Sequence, residues 1–139
     1  MSLLRPQLPR MLATLRELVE IESPSLEKEP ADRCCRFLSG EWLRRKAIVG
    51  IVSQKHRGDH LRVIWSPSSS RPAGQIFVLG HYDTVYPTGT LQKMPFRITG
   101  GKAFGPGTFD MKAGIVQALF ALQALQESRL PVLKRIVFL

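Results

Sequence analysis

Residues 75–85 read QIFVLGHYDTV, and residues 100–125 read GGKAFGPGTFDMKAGIVQALFALQAL. The first stretch is an apolar run, Ile76 to Leu79, that ends at Gly80 and sets His81 and Asp83 just past its carboxyl end. The second is a glycine-rich passage that brings Asp110 to the start of a helix, predicted from Met111 to Ser128. In open α/β sheets chemistry gathers outside the carboxyl ends of strands, where loops converge without disturbing the core. His81, Asp83 and Asp110 are therefore the candidates for part of a metal site.

Each candidate has an ordinary alternative. A single histidine after a strand is commonly a hydrogen-bonded structural residue. An aspartate ahead of a long helix commonly caps its free N–H groups. In an extended segment, however, residues i and i+2 project to one side, so Asp83 can accept a proton from the far nitrogen of His81. That contact fixes the tautomer of a metal-bound imidazole and raises its basicity. A carboxylate at the position of Asp110 can bridge two cations, which in two-metal hydrolases sit roughly 3.5–4 Å apart. Gly105, Gly107 and Gly114 let the backbone turn close to such a site. Lys112 reads either as a surface residue or as a hydrogen-bond donor behind the site.

Working outward, Leu8 to Glu20 is a predicted helix that stops at Ser23-Pro24, because the residue before proline disfavours helical geometry. A second helix opens at Ser25 or Glu27, tolerates Pro30 in its first turn, and ends near Lys46. Ala47 to Gln54 and Leu61 to Trp65 form a hairpin around Arg57-Gly58-Asp59. Pro67 to Pro72 is a loop, and Ile76 to Leu79 is the expected central strand. Pro95 to Phe104 folds as a short hairpin on Gly100-Gly101. Pro131 bars continuation of the last helix, and Arg135 to Leu139 is a further apolar strand. The order implies a mixed, open α/β sheet with helices on both faces. A chain stopping in an apolar strand leaves an edge open to association, which points to truncation.

The 139 residues suit one domain, and their composition, 44% hydrophobic and 22% charged, is that of a globular protein. No apolar run approaches the roughly 18 residues of a membrane span. The net charge of +9 is scattered, without aromatic-basic interleaving, which argues for a solvated surface and against nucleic-acid binding. Adjacent Cys34 and Cys35 on a helix do not make an ordinary disulfide, and they read as packing residues in a reducing compartment. Arg5, Arg10 and Arg16 loosely suggest a transit peptide, but helical apolar spacing continues through Glu17 and Glu20, so an ordinary first helix and a cytoplasmic setting are expected.

The phrase LGHYDTVYP followed by GGKAFGPGTFDMKAGIVQALFALQAL resembles the metal-binding core of the dinuclear-zinc metallopeptidases. This family includes glutamate carboxypeptidase, aminoacylase, acetylornithine deacetylase and succinyl-diaminopimelate desuccinylase. Its pattern, H-x-D-T-V after a strand and G-x-G-x-x-D-x-K-x-G before a helix, is met by His81, Asp83, Thr84 and Val85 and by Gly105, Gly107, Asp110, Lys112 and Gly114. Ala113 stands where many members have glycine. LVEIESPS, Leu18 to Ser25, resembles the family's N-terminal segment. The wording is most similar to the glutamate carboxypeptidase branch.

The resemblance implies a zinc-peptidase-like catalytic domain and metal-assisted hydrolysis of the amide bond in N-acyl amino acids or short peptides. It makes His81 a ligand of one zinc, Asp110 the carboxylate bridging two, and Asp83 the acid that steadies His81, with a cis peptide after Asp110. Cobalt or manganese would also suit such donors. The family's Glu-Glu pair, a further acidic ligand, a closing histidine and a lid domain have no counterpart here. His56 and His60 are placed by no motif as substitutes. Residues 1–139 are thus expected to be the N-terminal portion of a catalytic domain, inactive alone, from a protein whose complete relatives are often homodimers. An acidic doublet is expected within about a dozen residues after Leu139. The alternative is a non-catalytic α/β interaction module that keeps part of the fold.

Overall fold

A computed structural model describes residues 3–66, 72–128 and 132–139. Pro67 to Arg71 of the expected loop, and Pro131, lie outside the described residues. Helix α1 spans Leu8–Glu20, follows a single 3-10 turn at Arg5–Gln7, and takes Pro9 in its opening turn, where a missing N–H costs no helical bond. It buries Leu15, Leu18 and Val19. Helix α2 spans Lys28–Arg44 and buries Ala31, Cys34, Cys35, Leu38 and Trp42 at helical spacing. Each fully buried leucine contributes about 1.5–3 kcal/mol.

Of the two expected starts of α2, Ser25 and Glu27, the structure takes Glu27, which immediately precedes the first helical residue, for a local reason. The Ser25 amide and hydroxyl both donate to the Thr84 carbonyl, at 2.9 and 3.0 Å. Pro24 and Thr84 form an isolated parallel bridge. Ser25 is thus committed to the chain beyond His81 and is not free to cap a helix. At the other end, Lys46 adopts a left-handed φ of 58°, which closes the helix just before it.

Four strands form the main sheet in the order β1-β2-β6-β3: β1 is Ile48–Val52, β2 His60–Trp65, β3 Gln75–Val78 and β6 Arg135–Phe138. β1 and β2 are the expected antiparallel hairpin, with Ile48 opposite Ile64. β6 pairs antiparallel with β2 and parallel with β3. The parallel pair requires a crossover, which helix α3, Ala113–Ser128, supplies. A separate hairpin joins β4, Arg97–Thr99, to β5, Lys102–Phe104, as expected. Its two turn residues, Gly100 and Gly101, have φ of 56° and 73°, a pair of positive values that suits glycine in a two-residue turn.

Two expectations about the sheet are corrected. The run Ile76 to Leu79 is not central: β3 lies at the edge, with Phe77 54% and Leu79 69% exposed. The C-terminal strand is not an open edge, because β6 is hydrogen-bonded on both sides. An apolar run announces that both faces of a strand are to be covered, and it carries no information about which strand lies beside it.

The mixed open sheet itself is present. Leu61, Val63 and Trp65 alternate with more exposed neighbours along β2 and join α1, α2 and α3 in one core. Trp42 of α2 packs on Phe138 of β6, with ring centroids 4.5 Å apart. The register aligns Ile48, Ile64, Val137 and Phe77 across all four strands on the opposite face. Among the described residues no helix buries Ile48 or Phe77 there. One ion pair is built into the helical layer. The Arg45 guanidinium is buried, lies 2.7 Å from the Glu41 carboxylate, donates to the Leu119 carbonyl at 3.1 Å and sits over the Phe120 ring.

Candidate metal centre

The crossover geometry brings the two loops of interest to one end of the sheet. β3 ends at Val78, so His81 and Asp83 fall just outside its carboxyl end. Asp110 lies in a single wide turn, Thr108–Lys112, that runs into α3. The Asp110–Met111 peptide is cis, as the resemblance implies. Asp110 and Met111 have non-helical backbone angles, so α3 begins at Ala113 and not at Met111. The carboxylate faces His81, and among the described residues no capping hydrogen bond from the helix to Asp110 is seen.

His81 and Asp110, 29 residues apart, meet with Nε2 3.1 Å from Oδ1. The other ring nitrogen, Nδ1, is 3.0 Å from the main-chain oxygen of Asp83 and 3.4 Å from its carboxylate. Asp83 thus orients the ring mainly through its carbonyl, with its side chain as a nearby charge. Burial opposes a charge on His81, but the Asp83 carbonyl, the Asp110 carboxylate and the two negative charges outweigh it and hold the pKa above the ordinary value. The ring is half exposed and the Asp110 carboxylate is 80% exposed, so a ligand can reach both.

The spacing suits a cation as well as a proton. Two ligands 2.0–2.1 Å from a tetrahedral zinc stand ~3.3 Å apart, close to the observed 3.1 Å. An imidazole with a carboxylate is also the right donor chemistry for zinc. The set is partial: among the described residues no group of three or more His, Cys, Asp and Glu side chains is placed to share a metal ion. His60 lines an open depression with His81 that Asp110 does not line, and His56 lines none of the three depressions that His81 lines. Cys34 and Cys35 are free and buried in the core. Burial pushes the Cys34 thiol up to about 11, which leaves it inert as a nucleophile.

Some supporting residues were not legible from the motifs. Met111 Sδ lies 3.4 Å from the His81 amide, and its methyl packs where a side chain at Gly80 would stand. Tyr82 donates to the Asp59 carbonyl, tying the strand exit to the β1–β2 turn. Lys112, left open between surface and interior, is almost wholly buried. Gly107 has a φ of 67°, and a Cβ there would fall 2.4 Å from Thr84 Cγ2. Gly107→Ala is therefore expected to cost about 2–3 kcal/mol, from left-handed strain and the clash together. Chemical denaturation checks this, and a loss under about 0.5 kcal/mol, the range of a neutral surface change, would contradict it.

Residues 77–139 match the model of peptidase family M20/M25/M40. Carboxypeptidase G2 of Pseudomonas sp. (strain RS-16) is 34% identical over 125 residues, which are 86% of this chain and 28% of that protein. Human carnosine dipeptidase 1 superposes with a TM-score of 0.78 at 18% identity, over 96% of this chain and 31% of that one. An M20 family metallo-carboxypeptidase from Sulfolobus solfataricus gives a TM-score of 0.77 at 16% identity, over 92% of this chain and 29% of that one. The chain therefore spans less than a third of the length of each of these relatives. The metallopeptidase resemblance read from the motifs and the mixed α/β fold both hold.

Proposed function

We propose that residues 1–139 are the N-terminal portion of the catalytic domain of a metallopeptidase of the M20/M25/M40 type. In this reading the lid domain and the C-terminal half of the catalytic domain lie elsewhere in a longer protein. The observation that carries it is the convergence of His81 Nε2 and Asp110 Oδ1 at 3.1 Å, at the carboxyl end of a parallel strand pair. The apolar row Ile48, Ile64, Val137 and Phe77 supports it further, since a sheet of this class is ordinarily covered on both faces.

His81 and Asp110 would hold divalent metal, zinc first and cobalt or manganese as substitutes, and Asp83 would keep the imidazole oriented. When bound, a pair of such cations makes a water nucleophilic near neutral pH and polarises the scissile carbonyl. The chain's own task is to present Nε2 unprotonated, with the Nδ1 proton held toward Asp83. Asp110, accessible beside Nε2, would hold a cation with its carboxylate. The depression lined by His81, Asp83, Thr108 and Asp110 leaves room for a substrate carbonyl.

Substrates would be N-acyl amino acids or short peptides with a free carboxylate. The glutamate carboxypeptidase branch is favoured by the wording around His81 and by the 34% identity to carboxypeptidase G2. Two buried, unpaired cysteines accord with a cytoplasmic setting, and the complete protein would be a homodimer, as the family resemblance implies. A longer protein carrying this chain is expected to hydrolyse N-acyl-glutamate substrates, and removal of its metal by a chelator should abolish turnover. The 139-residue chain alone should not turn over. Hydrolysis that survives complete metal removal would rule the reading out.

A further inference from the structure

The segment joining α1 to α2 touches both site-bearing loops. Lys112 lies two residues beyond Asp110, and its buried ammonium donates to the carbonyls of Leu18 and Ile21, at 2.9 and 2.8 Å. These acceptors lie in the last turn of α1 and just after it, where free helix carbonyls favour a cation. One residue on, the Glu22 carboxylate accepts from the amides of Gly89 and Leu91, at 2.8 and 2.9 Å. These amides belong to the chain that continues from His81 and Asp83. Between the two, the Thr84 amide donates to Ser23 O at 2.8 Å, and the Ser23 hydroxyl donates to Tyr82 O at 2.8 Å. Tyr82 is the residue between His81 and Asp83.

The geometry points to a positioning role for Lys112 and Glu22: through the turn at 21–23 they fix the Asp110 loop and the His81 loop relative to one another. This rests on the reading of His81 and Asp110 as the metal-holding pair. Among the described residues no hydrogen bond or ion pair joins Lys112 or Glu22 to His81 or Asp110, so neither is a catalytic residue. Their function is to hold a 3.1 Å approach between two side chains that no secondary structure joins directly. The motif's lysine and the N-terminal phrase LVEIESPS thereby acquire one shared physical purpose. Lys112 is rigid in this role because two carbonyls and a packed interior leave its ammonium a single seat.

The test is the ring-nitrogen resonances of His81 in the full, metal-free 139-residue chain, with His56 and His60 as internal references. Asp110→Ala defines the spectrum of the broken contact. Lys112→Met is expected to move the His81 resonances more than half of the way to that spectrum. Glu22→Gln keeps the shape but weakens the grip on Gly89 and Leu91, and a smaller move in the same direction is expected. Leu122→Ala, a core substitution in α3, should lower the melting temperature and leave His81 where it was. If Lys112→Met and Glu22→Gln lower the melting temperature but leave His81 at its parent position, their role is structural only and the inference is overturned. Should Lys112→Met not fold, Glu22→Gln decides by the same criterion. Because the contact is read without metal, the result stands whether or not zinc binds the pair.

Discussion

Asp110→Asn, made in a longer protein that carries this chain, is expected to lower kcat/KM by ~10³ or more. The amide is nearly the size of the carboxylate, so the fold is left intact and only the charge is removed. On the proposed reading Asp110 would help hold two neighbouring cations, and its negative charge would offset their mutual repulsion. Metal-ion polarisation of a carbonyl is worth several kcal/mol in the transition state, and each ~1.4 kcal/mol is a factor of ten in rate. Losing about 4 kcal/mol therefore gives the thousandfold effect. His81→Ala should be as severe, because on the proposed reading it removes a direct metal donor.

Asp83→Asn should be milder, about 10- to 100-fold, the usual cost of disturbing a group that orients a metal-bound imidazole. Much of that orientation comes from the Asp83 main-chain carbonyl, 3.0 Å from Nδ1, which the substitution retains. Steady-state kinetics with metal content measured on each variant checks the order. Asp110→Asn within tenfold of the parent, with its metal complete, would remove Asp110 from the site.

The same loops show what a sequence can and cannot disclose. His81 and Asp110 were legible because each sits beside a punctuated element: a run ended by Gly80, and a helix approached through Gly105 and Gly107. Their mutual approach was not, since it depends on a crossover whose path is set by packing across the core. Asp110 as a helix cap was the more common reading of the local sequence taken alone. The Asp110 and Met111 backbone angles decide against it, by delaying α3 to Ala113.

β3 and β6 exchanged their expected places for a related reason. Periodicity reports which faces are apolar, and both strands are apolar on both faces, so the pattern could not order them within the sheet. Lys112 was undecidable because a lysine's chemistry suits water as readily as a pair of helix carbonyls. Only the end of α1, some 90 residues earlier in the chain, reveals which. Arg45 likewise looks, in the sequence, like one more of the scattered charges of a solvated surface. Its guanidinium is 7% exposed, and its partner is one helical turn back at Glu41.

That buried pair carries the largest expected effect on stability. Glu41→Ala removes the only carboxylate that neutralises Arg45 among its described contacts, while its links to the Leu119 and Glu41 carbonyls and the Phe120 ring keep the guanidinium inside. Stranding a buried charge in this way costs about 3–5 kcal/mol, a large share of the ~5–15 kcal/mol by which a domain is stable. For a chain of this size that is a melting-temperature drop of about 10–20 °C. The exposed contact of Arg44 with the same carboxylate adds little, because solvent screens it, and Arg44→Ala should be near neutral. Acid should act as the mutation does. Burial raises the Glu41 pKa, but hydrogen bonds and charge from Arg44 and Arg45 outweigh it and hold it below the usual carboxylate value. A depressed folded pKa contributes stability that is complete above the unfolded value and is lost as pH falls through the folded one. The parent should therefore lose stability below about pH 4.5 more steeply than Glu41→Ala does, so that the two denaturation midpoints approach each other in acid. Parallel pH profiles for the two proteins would show that the pair is not the source of the stability assigned to it.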